Sequence, residues 1–186
     1  MTSSTGPRDF DIFYRTVHLG ILPRPVSDFR FELQPIASCS PALLAEVTSL
    51  VNRANMDRRG VFQGDRLRPD TLVEYYGGRE ILLLWDGSRP IGVLLLEGRE
   101  GGLWVFLLAV APENQGTGLG QLMLEEALRI GRERGFALLV LEAVDSGRLL
   151  NFYARFGFEV VARQRCEVGH WNATEPFDLV TMNRRL

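Results

Sequence analysis

The chain has 186 residues, 46% hydrophobic and 24% charged, the composition of one globular domain with a substantial core. A formal net charge of −2 excludes a general basic field for nucleic acid or anionic lipid, and no apolar run approaches the roughly 18 residues that span a bilayer. Cys39 and Cys166 have neither the density of a disulfide framework nor the spacing of a zinc site, and the first residues lack the pattern of a signal peptide, so a cytoplasmic protein without metal, membrane or nucleic-acid partner is expected.

Residues 1–28 carry Pro7, Pro23 and Pro25 and read as an N-terminal extension to a domain over 29–186. The apolar patch of Phe10, Ile12, Phe13, Tyr14 and Val17 is expected to dock on that domain or on a second subunit, which leaves a homodimer open. Phe29 to Ile36 alternates apolar and polar residues as a half-buried strand does. Ser40-Pro41 then supplies an N-cap and a favoured first residue for a helix over 42–54. The loop from Asn55 to Arg68 holds Arg58, Arg59, Arg66 and Arg68 with Asp57 and Asp65, a solvated surface or a place to meet an acidic substrate. A short helix over 69–76 ends at Gly77-Gly78. Strands over 80–85 and 90–97 flank the hairpin signal Asp86-Gly87-Ser88-Arg89.

Leu103 to Val110 is a further strand, and a long amphipathic helix begins at Thr117, with Leu119, Leu122, Met123, Ala127 and Ile130 on one face. Its polar face offers Glu125 and Arg129 as an i,i+4 ion pair, and Gly135 ends it. A strand over 137–143 follows, parallel to Leu103–Val110 because a helix joins them. A short helix over 147–156, a strand over 158–165 and a last strand over 177–183 complete the pattern.

Between strand and long helix lies Gln115-Gly116-Thr117-Gly118-Leu119-Gly120. Three glycines in five positions let backbone N–H groups approach a ligand with no Cβ in the way, and the helix presents its positive end there. Such a loop holds phosphate. A Walker A loop needs a Lys after its last Gly, and the chain contains no lysine. A dinucleotide fingerprint needs a third Gly where Gln121 stands.

The hexad resembles the Q/R-x-x-G-x-G/A acetyl-CoA motif of the GCN5-related N-acetyltransferases (GNAT). Residues Tyr153 to Phe158, within Asn151-Phe152-Tyr153-Ala154-Arg155-Phe156-Gly157-Phe158, resemble that family's Y-x-x-x-G-F element. The resemblance covers 29–186. It implies an α/β fold, mixed α+β in arrangement, with a mostly antiparallel sheet of six to seven strands and about four helices. In that fold the strands matching Leu103–Val110 and Ala137–Ala143 splay apart, and pantetheine enters the gap.

By the same resemblance, the backbone of Leu108 and Val110 bonds the acyl carbonyl and pantetheine. Gln115, Gly116, Thr117, Gly118, Leu119 and Gly120 hold the pyrophosphate of acetyl-CoA, the acyl donor. Tyr153 is the family's acid toward the leaving thiolate, or else a core tyrosine. Where many relatives carry a strand Glu this chain has Trp104, and where they carry Asn before the last helix it has Ser146. The base is therefore open among Glu97, Glu142, Asp145 and His170, while Trp104 and His170 are candidates for the acceptor's pocket. Without a Ser-His-Asp or Cys-His constellation, direct attack by a small-molecule amine or protein amino group is expected rather than an acyl-enzyme. The alternative is an acyl-CoA-binding regulatory module without turnover, and the acyl group, acetyl or longer, is open.

Overall fold

The computed structural model describes residues 28–55, 61–99 and 101–186. The expected extension with its apolar patch lies outside the described residues, except Asp28. Seven strands form one sheet: β1 (Phe29–Pro35), β2 (Glu80–Asp86), β3 (Arg89–Arg99), β4 (Gly102–Val110), β5 (Leu138–Val144), β6 (Glu159–Cys166) and β7 (Phe177–Arg185). Their spatial order is β1-β2-β3-β4-β5-β7-β6. All neighbours are antiparallel except β4 and β5, which the intervening helix makes parallel.

Four α-helices cover the two faces among the described residues: α1 (Pro41–Ala54), α2 (Pro69–Tyr76), α3 (Leu119–Glu133) and α4 (Gly147–Arg155). The Ser40 hydroxyl accepts from the Leu43 N–H at 3.2 Å, and Ser146 accepts from the Leu149 N–H at 3.3 Å, so each serine caps its helix. Alternation along the strands divides the apolar residues between two cores. Leu103, Val105, Leu139 and Leu141 face α3 and α4, with Leu119, Leu122, Met123, Ala127 and Ile130 buried against them. Ile81, Leu83, Val93 and Leu95 face α1 and α2, where Val47, Leu50 and Leu72 cover them.

The ion pairing on α3 departs from the expected Glu125–Arg129 pair. Arg129 instead clamps Glu126 with two bonds, Nε to Oε2 at 2.9 Å and a terminal nitrogen to Oε1 at 2.7 Å, and also meets Glu133. Glu126 is only 6% exposed, so its carboxylate requires that paired guanidinium, while Glu125 accepts from Gln121 at 2.9 Å. Cys39 and Cys166 are both free thiols. No helix among the described residues is long and apolar enough to cross a membrane.

Leu122 is fully buried between α3 and the sheet. Leu122→Ala is expected to lower unfolding free energy by about 3 kcal/mol through lost burial and a residual cavity. A denaturant titration checks this: an unchanged midpoint would mean that α3 does not anchor the core.

Candidate functional site

The parallel pairing of β4 with β5 covers only three positions, Leu103 with Leu139, Trp104 with Val140 and Val105 with Leu141. Beyond Val105 and Leu141 the two strands run on without pairing. The cause of the divergence lies in β4. Its register with β3 shifts between Val93 and Leu95, where Leu107 and Leu108 together stand opposite a single residue, Leu94. Leu107 carries φ 51, a left-handed conformation that costs a leucine roughly 1–2 kcal/mol. Bulges of this kind bend a strand and re-aim its backbone.

Register also fixes where the end of β4 points. The Ala111 N–H donates to Ile91 O at 2.8 Å, so Ala111 faces β3. Val110, opposite Gly92, is then a non-hydrogen-bonded position whose backbone groups turn toward the gap. Its carbonyl is taken by the Gln115 side chain, which donates from Nε2 at 3.0 Å. Leu108, two residues earlier, lies on the same side by the period of a strand.

The glycine loop sits at the mouth of this gap. Gly116 and Gly118 have φ 77 and φ 88, conformations that L side chains rarely adopt. Thr117 tightens the turn by donating its hydroxyl to Asn114 O at 2.6 Å. Gly118 is the N-cap of α3, and the first intrahelical bond runs from the Leu122 N–H to Gly118 O at 3.0 Å. The N–H groups of Leu119, Gly120 and Gln121 precede it, at the positive end of the helix. A Cβ on Gly120 would lie 3.7 Å from Phe152 of α4 and 3.9 Å from Val110. The end of β4, the start of α3 and one face of α4 therefore converge on one spot, within van der Waals contact of Gly120. The Gln115 side chain also reaches Ala54 O at 3.4 Å, tying the loop to the end of α1.

Tyr153 is 9% exposed in the core under α3 and α4, with its ring edge-on to Phe152 at 5.1 Å and to Phe158 at 5.9 Å. It stands on the face where the glycine loop and Phe152 meet.

On the opposite face, Glu142 is the first β5 residue past the last parallel pair. Leu141 and Ala143 point into the core against α3, so Glu142 points the other way, and it is exposed. No ion pair forms at Glu142 among the described residues. The other carboxylates proposed as base are engaged. Asp145 pairs with Arg163. Glu97 meets Arg79 and Arg99, each at 2.8 Å; burial pushes its carboxyl up, but these two guanidinium groups outweigh that and hold it below the usual carboxylate range.

Trp104 and His170 separate. Trp104 is half-buried beside Glu97, stacked on Phe106 with centroids 6.2 Å apart and with Arg99 4.8 Å above its ring, and its strand partner Val140 precedes Glu142 by two residues on one face. His170 lies in the β6–β7 connection, 4.8 Å from the Trp171 ring and 5.8 Å from Phe177. Its neighbour Trp171 lines a cleft together with Asn52, Asn55, Gln63, Asp65 and Arg66. Sequence gave only a weak signal for this group: a polar, Arg-rich loop and a Trp in a long connection.

Residues 77–160, from the end of α2 into β6, match the family model described as an acetyltransferase (GNAT) domain. The segment is similar to a GNAT acetyltransferase domain over a little less than half of the chain. It holds β4, the glycine loop, α3, β5 and α4, and with it the whole split and its mouth. The GNAT fold extends beyond that segment. The ribosomal-protein-S18-alanine N-acetyltransferase of Escherichia coli superposes with a TM-score of 0.66 at 20% identity, covering 84% of this chain and 94% of that one. A GNAT family acetyltransferase from Elizabethkingia anophelis, with acetyl-CoA bound, gives a TM-score of 0.64 at 16% identity, covering 86% and 99%. A Bacillus subtilis acetyltransferase in complex with CoA gives 0.61 at 19%, covering 85% and 99%. No curated protein sequence matches the chain. The expected mixed, mostly antiparallel sheet with four helices is therefore the architecture of these GNAT structures.

Proposed function

We propose that the chain transfers an acetyl group from acetyl-CoA to a primary amine by direct attack in a ternary complex. The observation that carries this reading is the split between β4 and β5, with a glycine loop and the start of α3 at its mouth. Unpaired strand edges facing a gap need hydrogen-bonding partners, and an extended diamide such as pantetheine provides them. Gly116 to Gly120 would receive the pyrophosphate on main-chain N–H groups, where left-handed glycines leave the backbone bare. The E. anophelis and B. subtilis neighbours, solved with acetyl-CoA and CoA, support the same donor.

Acetyl-CoA supplies the thioester carbonyl. The residues of the chain would divide the remaining work between the two faces of the sheet. The Leu108 N–H, just past the bulge, would point the carbonyl oxygen and stabilise the charge that develops on it. Tyr153, on the α3 and α4 face, would give its phenolic proton to the departing sulfur. Glu142, on the α1 and α2 face, would take a proton from the ammonium, directly or through one water, so that the free amine attacks. A split sheet lets acceptor and leaving group lie on opposite sides of one carbonyl.

Calorimetry with acetyl-CoA followed by thiol release across a panel of amines tests this reading. Binding without release from any amine would favour a regulatory module, and no binding at all would sink both. For the base, Glu142→Gln is expected to reduce kcat/KM at pH 7 by roughly tenfold, less at high pH where the amine is already neutral. A loss that does not change with pH would remove Glu142 from that role.

A further inference from the structure

β6 is antiparallel to β7 and β7 to β5, so β5 and β6 run the same way, and α4, which joins them, returns against them as α3 returns from β4. The two helices share one face of the sheet, with both N-termini at the mouth of the split. The Phe152 ring, 3.7 Å from where a Cβ on Gly120 would stand, sets them level. At about 1.5 Å per residue, Arg148 then stands about 6 Å nearer the mouth than Phe152, level with the turn of Gly116 and Thr117 that precedes α3.

Leu149 and Tyr153 turn α4 toward the core, and Arg148, Phe152 and Arg155 follow one another at i, i+4 and i+7 along the adjoining stripe. Phe152 is half-buried, and both arginines are exposed. Among the described residues neither of them forms an ion pair. Four other arginines at this end of the sheet do: Arg53 and Arg89 share Glu113, Arg163 meets Asp145 and Arg165 meets Asp178. The glycine loop itself carries no charged side chain, and its one hydroxyl, on Thr117, is donated to Asn114 O. Its N–H groups suit a pyrophosphate, but acetyl-CoA also carries a 3′-phosphate on the ribose a few bonds away, a monoester with a charge of about −1.5 to −2 at pH 7. That charge needs a cation beside the loop, and α4 holds one at the right level.

We propose that Arg148 receives the 3′-phosphate of acetyl-CoA, so that the chain distinguishes CoA thioesters from those of dephospho-CoA. This rests on the acetyl-transfer reading above. The planar fork of a guanidinium matches two phosphate oxygens. Arg155, about 10 Å farther from the mouth on the same stripe, adds attraction at longer range.

The test is calorimetry with acetyl-CoA and acetyl-dephospho-CoA, which differ only in the 3′-phosphate. The expected result is a Kd at least about tenfold lower for acetyl-CoA, the scale of a charged hydrogen bond, with a ratio that shrinks as salt rises. Arg148→Gln should bring the ratio close to one by weakening acetyl-CoA alone, with affinity for the dephospho compound retained. Arg148→Lys, which keeps the charge without the fork, should keep part of the ratio, and Arg155→Gln should lower it by less than about threefold. Equal affinities in the unmodified protein, or a ratio that survives Arg148→Gln, would overturn the proposal. So would an Arg155→Gln loss as large as that of Arg148→Gln, which would assign the preference to a general positive field. In each of these cases binding of both compounds leaves the acetyl-CoA reading standing. Failure of the unmodified protein to bind either compound removes that reading and the proposal with it.

Discussion

Gly118→Val is expected to abolish acetyl-CoA binding, weakening affinity by more than about a hundredfold through two effects with one origin. Gly118 caps α3 at φ 88 and ψ −6, where a side chain costs roughly 1–2 kcal/mol and a β-branched one is worse placed still. To relieve that strain the loop must rotate, which turns the N–H groups of Leu119 and Gly120 away from the pyrophosphate. If it does not rotate, an isopropyl group occupies the approach to those donors. Calorimetry reads the loss directly, and circular dichroism confirms that α3 is retained. Wild-type affinity in a folded Gly118→Val variant would mean that the hexad does not hold phosphate. Gly116→Ala provides a graded comparison: a Cβ there meets no atom within 4 Å, so its effect isolates the cost of φ 77 from steric blockage.

Tyr153→Phe is expected to lower kcat by about a hundredfold, the lower range for removing a positioned acid, with acetyl-CoA affinity little changed. The reason lies in how the side chain is held. Its ring contributes to the core through Phe152 and Phe158, and phenylalanine preserves those contacts, so only the hydroxyl is removed. A purely structural tyrosine would show the opposite pattern, a stability loss of about 1 kcal/mol and unchanged turnover. Single-turnover thiol release at saturating acetyl-CoA, beside a thermal unfolding curve, separates the two. Unchanged kcat would remove Tyr153 as the acid.

Most element boundaries were legible before the fold was seen because each rests on local physics. Ser40-Pro41 opens α1 because a hydroxyl can accept from an N–H three residues on and proline lacks the donor the first turn would leave unpaired. Asp86-Gly87 closes the β2–β3 hairpin, with Gly87 at φ 58 as that turn requires. The α3 face read from spacing is the buried face. Side-chain pairing was less legible. Glu125 was read as the partner of Arg129 because i,i+4 neighbours meet on an isolated helix. In the folded protein Glu126 lies buried, and a buried carboxylate takes the guanidinium first.

The face of the sheet that carries Glu142 was the least readable. Trp104 and His170 drew attention by residue type and position, yet Trp171 and Arg66, 105 positions apart in the sequence, line one cleft only because Phe62 bridges Ala173. Glu142 was one carboxylate among several until Glu97 and Asp145 were seen in ion pairs and the last β4–β5 pair was seen to end at Leu141. By itself, the sequence determined the strands, the helices and a glycine-built loop at the start of α3, because periodicity, capping and left-handed backbone are properties of neighbouring residues. The tertiary structure alone decided where β4 and β5 part, which carboxylate beside the opening forms no ion pair among the described residues, and which side chains wall the cleft at Trp171. Those depend on a bulge at Leu107, a competition among guanidinium groups and a bridge between distant loops, none of which is encoded at short range.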